Sequence, residues 1–246
     1  MTRELRISIE ASASAITFAP NGHLLATISP RKIEQESPSK IELWNPLNGA
    51  LYCTIETFSD RDCSLVFSPD SLLLASGFMD GKIRICNSMT GELCRTLEGH
   101  ALYKIRMIAF SPNSQFLASA SDDTTARVWD ITADIPHRAI QGHSIDVITV
   151  AFSPDGMLLA SGSADGTVGI WNVLAGSLCH MLTGHSSEVR AVAFSPKVLL
   201  ASASTDKTIR LWNTTTGDLY RIINAHLDRV DRVVFFTGWT VSCLYI

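Results

Sequence analysis

Residues 147–182 read VITVAFSPDGMLLASGSADGTVGIWNVLAGSLCHML. Val147 to Phe152 is rich in β-formers and partly alternates apolar with polar residues. Pro154-Asp155-Gly156 then supplies a turn. Proline presets φ, aspartate hydrogen-bonds its own backbone, and glycine accepts positive φ. The apolar Met157-Leu158-Leu159-Ala160 follows, and Ala164-Asp165-Gly166 turns the chain into Thr167-Val168-Gly169-Ile170-Trp171. Ala175-Gly176 turns it once more into Ser177 to Leu182. The stretch predicts four short strands separated by turns, and no segment shows a sustained helical period.

The same pattern recurs outward in both directions. Phe152-Ser153-Pro154 has relatives at Phe18-Ala19-Pro20, Phe67-Ser68-Pro69, Phe110-Ser111-Pro112 and Phe194-Ser195-Pro196, with a faded copy at Phe235. The phenylalanine spacings are 49, 43, 42, 42 and 41. Trp44, Trp129, Trp171 and Trp212 keep this period, with Cys86 where the second unit would have its tryptophan. Gly99-His100, Gly142-His143 and Gly184-His185 keep it too, with Ala225-His226 as a weaker fourth. The whole chain, 1–246, reads as one repeat domain. Its units lie at about 11–57, 58–100, 101–143, 144–185 and 186–226, with a partial unit at 227–246 and an N-terminal strand at 4–10. A four-stranded unit of this length cannot bury both of its faces alone, so the units must stack.

The spacing of Gly-His, Ser-x-x-x-Asp and Trp resembles the WD-repeat family over nearly the whole chain. Only Trp129-Asp130 keeps the Trp-Asp ending; the other units read Trp-Asn. The resemblance implies an all-β, WD-repeat β-propeller of four-stranded blades, five full units plus an incomplete sixth. Units such as Ser186 to Pro196 and Thr208 to Leu219 look like the WD-repeat regions of fungal NACHT-type NTPases and vegetative-incompatibility proteins. There the propeller is a recognition module attached to a nucleotide-binding switch, and no such switch is found in this sequence.

His100, Ser119 and Asp123 with Trp129, His143, Ser161 and Asp165 with Trp171, and His185, Ser202 and Asp206 with Trp212 form recurring sets. Ser-His-Asp invites a hydrolase reading. A catalytic site is needed once, however, and these sets repeat in register with the fold. The family resemblance implies a structural tetrad in each blade: Asp orients His, His reaches Ser, and Ser reaches the Trp indole. Unit two keeps Ser76 and Asp80 without the His or Trp. Unit one keeps Trp44, has Thr27 at the Ser position and lacks the Asp. The N-terminal blades are therefore expected to be the less rigid ones.

Composition narrows the function. Apolar residues make up 46% and charged residues 18%, which excludes wholesale disorder. A net charge of −4 with mixed signs argues against a nucleic-acid or anionic-membrane surface. No apolar run approaches the roughly 18 residues that span a bilayer, and the N-terminus lacks the apolar core of a signal peptide. The six cysteines include no C-x-x-C pair and no zinc-ligand spacing. They read as reduced, buried thiols in a reducing compartment, cytoplasmic or nuclear. Gly77 to Ile83 is one residue short of a P-loop and lacks its Ser/Thr. No metal, cofactor or small-molecule substrate is expected.

The expected function is a non-catalytic scaffold for a protein or peptide partner. An adaptor subunit of a ubiquitin-ligase, trafficking or organelle-division complex is the alternative, and an enzyme the remote one. By resemblance, partner contacts fall on the rim that carries the His and Asp turns. Those positions are Ser12, Ser14, Arg61, Cys63, Lys104, Arg106, Asp146, Ile148, Glu188, Arg190, Arg229 and Asp231, with Met79, Asp122, Ala164 and Thr205 before each turn Asp. Mixed charge there suits a protein better than a polyphosphate. The sixth unit runs out before a third strand, so the chain reads either as a six-bladed ring with a defective blade or as a piece of a longer array. Val233 to Phe236 and Val241 to Ile246 are apolar and β-prone, and self-association through this open edge is expected.

Overall fold

A computed structural model describes residues 15–29, 39–57, 64–133, 138–224, 228–235 and 241–244. The expected N-terminal strand at 4–10, together with Ser12, Ser14, Arg61, Cys63, Ala225 and His226, lies outside them. The chain forms two compact units, one ending at Ile105 and one beginning at Arg106.

The first unit holds two four-stranded sheets. Strands β1 (Ala15–Phe18), β2 (Leu25–Ser29), β3 (Lys40–Trp44) and β4 (Leu51–Glu56) form one. Strands β5 (Ser64–Phe67), β6 (Leu73–Gly77), β7 (Lys82–Asn87) and β8 (Leu93–Glu98) form the other. The second unit holds three more. These comprise β9 (Ile105–Phe110) to β12 (Arg138–Ile140), with β10 (Phe116–Ser121) and β11 (Ala126–Asp130) between, then β13 (Val147–Phe152), β14 (Leu158–Ser163), β15 (Val168–Asn172) and β16 (Leu178–Leu182). The third comprises β17 (Val189–Phe194), β18 (Leu199–Ser204), β19 (Ile209–Asn213) and β20 (Leu219–Ile223). A sixth sheet has two strands, β21 (Arg232–Phe235) and β22 (Val241–Leu244). Strand order within every sheet follows chain order, as hairpin connections dictate.

The Phe-Ser-Pro turns explain why the first two strands pair where they do. Ser153 Oγ donates to Asp155 Oδ1 at 2.5 Å and accepts the Leu158 amide at 2.9 Å, while Gly156, at φ 72°, returns its amide to Ser153 O. The side chains close the loop before the strands pair, which fixes register.

Within each unit the blades pack by one rule. The first strand of a blade lays its apolar face on the small second strand and aliphatic third strand of the blade before it. Val147 and Val150 thus join Ala118, Ala120, Ala126 and Val128 in one core. Val189 and Val192 join Ala160, Val168 and Ile170. Val230 and Val233 join Ala201, Ala203, Ile209 and Leu211. In the first unit Phe67 and Leu74 join Ala26, Ile28, Ile41 and Leu43. Alanine in the second strand is what lets the next sheet approach closely.

A bulge recurs where the third strand meets the fourth. Trp44 registers with Leu51, Cys86 with Leu93, Trp171 with Leu178 and Trp212 with Leu219, each beside a one-residue shift. The bulge persists where Cys86 replaces tryptophan, so it belongs to the strand frame and not to the indole.

The cysteines depart from the expectation of buried thiols. Cys86 is buried, and desolvation followed by the neighbouring Cys94 and Cys53 pushes its thiol up to about 11. Cys53 is half-buried, whereas Cys94 and Cys179 are exposed, and all four are free. Cys94 and Cys179 are the extra bulge residues of β8 and β16, a position that faces water in Tyr52 and Tyr220 as well.

Candidate functional site

Blade five carries a complete polar set. Trp212 Nε1 donates to Ser202 Oγ at 2.8 Å, and Ser202 Oγ lies 2.7 Å from His185 Nε2. His185 Nδ1 lies 2.8 Å from Asp206 Oδ2. An indole N–H can only donate, so the Ser202 oxygen accepts it and sends its own proton to Nε2. The imidazole therefore carries its proton on Nδ1 and donates it to Asp206. Asp206 also accepts the amides of Ser186 (3.1 Å) and Thr208 (2.9 Å) and the Thr208 hydroxyl (2.7 Å). Thr208 Oγ1 also lies 3.3 Å from His185 Nδ1, and burial favours the neutral ring.

Blade four differs at one link. Trp171 Nε1 donates to Ser161 Oγ at 2.8 Å, and Ser161 meets His143 Nε2 at 2.7 Å. The expected direct bond from His143 to Asp165 is absent, because Asp165 Oδ2 stands 3.7 Å away. His143 Nδ1 instead meets Thr167 Oγ1 at 2.9 Å, and Thr167 passes its proton to Asp165 Oδ1 at 2.6 Å. The amide and hydroxyl of Ser144 draw Asp165 Oδ2 aside, at 2.8 and 3.2 Å. The threonine relay was missed from the sequence, although Thr125, Thr167 and Thr208 recur two residues after each turn Asp.

The other blades vary the same theme. In blade three Trp129 donates to Ser119 at 2.9 Å and Thr125 to Asp123 at 2.7 Å, and His100 is fully buried at the end of the first unit. In blade one Thr27 takes the serine's part, accepting from Trp44 at 2.9 Å. Blade two has neither His nor Trp. There Arg84 pairs with Asp80 at 3.0 Å and stacks 4.6 Å over the Phe78 ring, so a cation meets the carboxylate in the absence of an imidazole. Glycine of the Gly-His pair has a steric reason: a Cβ at Gly142 would lie 2.8 Å from the Trp171 ring.

These sets do not have the geometry of a hydrolase. Ser119, Ser161 and Ser202 are wholly buried and spend their lone pairs on an indole N–H, so no substrate carbonyl can reach them.

Their protonation couples to folding. Burial lowers His143 and His185 below the ordinary 6.5, against the opposing pull of Asp165 and Asp206. Burial alone would raise the two carboxyls, but hydrogen bonds from Thr167 and Ser144, and from Thr208 and His185, outweigh it and hold both at about 2. Protons favour the unfolded chain in both cases. Stability is therefore expected to be greatest above pH 6.5, to decline as the histidines of the unfolded chain charge, and to fall again from pH 3.8 toward about 2. Urea midpoints measured between about pH 8 and 3 check this; a flat profile from pH 8 to about 5 would sink the neutral-imidazole assignment.

The expected rim residues of the second unit meet one another. Arg106 donates to Asp122 and, at 3.4 Å, to Asp146 of the next blade. The hydrogen bond to Asp122 leads the causes that raise the Arg106 guanidinium. Arg190 reaches Glu188 (3.4 Å) and Asp231 of the next blade (3.3 Å), and Arg229 joins Asp231 at 2.9 Å. Thr205 donates to Ser187 Oγ at 2.6 Å, Ala164 gives its amide to Asp146 O, and Ile148 is half-buried. In the first unit Met79 is exposed and Lys104 half-buried. Ion pairs this accessible contribute about 0–1 kcal/mol each, so a partner can replace them at little cost to the fold.

Comparison with known proteins agrees with this geometry. The family described as "WD domain, G-beta repeat" matches residues 55–87, 91–130, 135–172 and 176–213, together more than half of the chain. Nuclear distribution protein PAC1 of Arthroderma benhamiae is 35% identical over 130 residues, 48% of this chain and 26% of its own length. COMPASS component SWD3 of Saccharomyces cerevisiae is 32% identical over 139 residues, covering 53% and 42%. Small ribosomal subunit protein RACK1y of Oryza sativa is 34% identical over 122 residues, covering 50% and 34%. The chain thus spans less than half the length of these relatives.

Proposed function

Because the chain belongs to the WD40 family of G-beta repeats, we propose that it is a non-catalytic platform that binds a protein or peptide through its rim. The single observation behind this reading is the pair of inter-blade charge clusters, Arg106-Asp122-Asp146 and Glu188-Arg190-Asp231-Arg229. They are accessible, mixed in sign and dispensable to the buried sets beneath them. Ile148, Thr205, Met79, Lys104 and Arg61 complete the proposed contact set. Alternating charge favours a folded protein or a peptide over nucleic acid, and no helix among the described residues is long and apolar enough to cross a membrane.

The finer reading is a recognition module within a larger fungal signalling or incompatibility protein, working in the cytoplasm or nucleus. Its support is the near-identity of the later repeat units. The adaptor reading draws on relatives whose names place them in assemblies, a COMPASS component and a small ribosomal subunit protein. A pull-down from source cells separates the two by what it retains: subunits of a standing complex favour the adaptor. Arg106→Glu with Arg190→Glu should abolish that retention while moving the melting midpoint by less than about 3 °C. Unchanged retention would remove the rim from the proposal.

A further inference from the structure

Within the second unit, a bulge in the first strand of a blade sets which side chain reaches across to the next blade. In β17 the register shifts between Val189 and Ala191, so Arg190 is the extra residue. Released from the ladder, it meets Asp231 of the next blade at 3.3 Å. In β13 the same shift falls between Val147 and Thr149, and the extra residue is Ile148. Arg106 has the corresponding place in β9, four residues before its Phe, and it too reaches the next blade, at Asp146. Blades three and five thus send a guanidinium across the blade junction, and blade four has a half-buried isoleucine there.

The junction of blades four and five keeps the carboxylate that such a cation would meet. Glu188 has the place on blade five that Asp146, an acceptor of Arg106, has on blade four. Each backbone carbonyl takes the amide of the residue before the turn Asp, Ala164 to Asp146 at 2.9 Å and Thr205 to Glu188 at 3.0 Å. The Glu188 side chain is 47% exposed and meets Arg190 of its own blade at 3.4 Å. Asp122, which pairs with Arg106 from the same blade, has Ala164 as its counterpart in blade four. Ile145, whose carbonyl accepts the Ser163 hydroxyl one residue from Ala164, adds an apolar side chain that is 48% exposed. The two rim clusters hold four carboxylates, Asp122, Asp146, Glu188 and Asp231, to three guanidinium groups, Arg106, Arg190 and Arg229.

We propose that the partner contributes an arginine side chain at this junction, its methylene stem on Ile145 and Ile148 and its guanidinium on Glu188. The proposal rests on the rim reading above and gives the chemistry of one contact within it. An arginine covers apolar surface with its stem while its planar fork pairs with a carboxylate; a lysine would bring a single point charge. The chain's own solution at the two other junctions is arginine as well.

The test uses the full chain, labelled at the isoleucine methyl groups, and the tripeptide acetyl-Ala-Arg-Ala-amide at up to about 10 mM. The Ile145 and Ile148 methyl signals should shift and saturate, while the buried Ile170 and Ile209 stay in place and report an intact fold. The tripeptide with Gln in place of Arg should move neither pair. Glu188→Gln should weaken the apparent affinity by about tenfold or more. Ile148→Arg, a side chain that β17 already carries at its own bulge, should fill the seat and abolish the Ile145 shift. Absence of a saturable shift in the wild type would overturn the proposal, as would an equal response to the Gln tripeptide or unchanged affinity in Glu188→Gln or Ile148→Arg. The titration reads one side chain and the pull-down a whole partner, so a silent titration with retention still lost in the Arg106/Arg190 double variant would strike the arginine seat and leave the rim reading standing.

Discussion

Asp206→Ala is expected to lower the unfolding free energy by about 3 kcal/mol, and by more than Asp165→Ala does. Asp206 is the direct acceptor of His185 Nδ1 and also satisfies the Ser186 amide, the Thr208 amide and the Thr208 hydroxyl. Its loss leaves a buried imidazole N–H with no carboxylate, and the neutral tautomer that receives the Ser202 proton loses its anchor. Asp165 holds a similar number of donors, but His143 rests on Thr167 and keeps that bond when the carboxylate goes. About 2 kcal/mol is expected there. Chemical denaturation of the two variants side by side reads the difference. Equal losses would mean that the threonine relay carries no weight.

Gly166→Ala should cost about 3 kcal/mol through two separate terms. The residue sits at φ +81°, a region that an L side chain enters at about 1–2 kcal/mol. A Cβ there would also stand 2.8 Å from His185 O and 3.3 Å from Ser187 O, both backbone atoms that cannot swing aside. Lys207 occupies the same turn position in blade five at φ 72°, so the conformational term alone is survivable. Lys207→Gly should accordingly gain about 1 kcal/mol. Thermal melts of both variants test the division: a Gly166→Ala loss no larger than the Lys207→Gly gain would leave no steric term.

The difference between Asp165 and Asp206 also shows what sequence can carry. Phe152-Ser153-Pro154-Asp155-Gly156 specifies its turn through side chains within five residues, so strands and register were legible from a single unit and its copies. His, Ser, Asp and Trp were legible for the same reason, by recurrence. The identity of each acceptor was not, since choosing between Thr167 and Asp165 depends on where Ser144 pulls one oxygen. Arg84 was missed because an arginine on a strand looks like ordinary surface until Phe78 and Asp80 are seen beside it. Cys94 and Cys179 were misjudged because alternation has no term for the extra residue of a bulge.

The closed chains of hydrogen bonds contrast with the accessible ion pairs beside them. The tryptophan-to-aspartate sequence of bonds ends at the turn, and the rim side chains begin one residue away: Asp122 precedes Asp123, and Thr205 precedes Asp206. Neighbouring positions are thus held differently, one by the closed set of buried hydrogen bonds and one by accessible side-chain pairs. A library randomised at positions 106, 122, 146, 148, 188, 190, 205 and 231 would keep its fold through most of its members, so this surface is a ready framework for selecting new binding specificities.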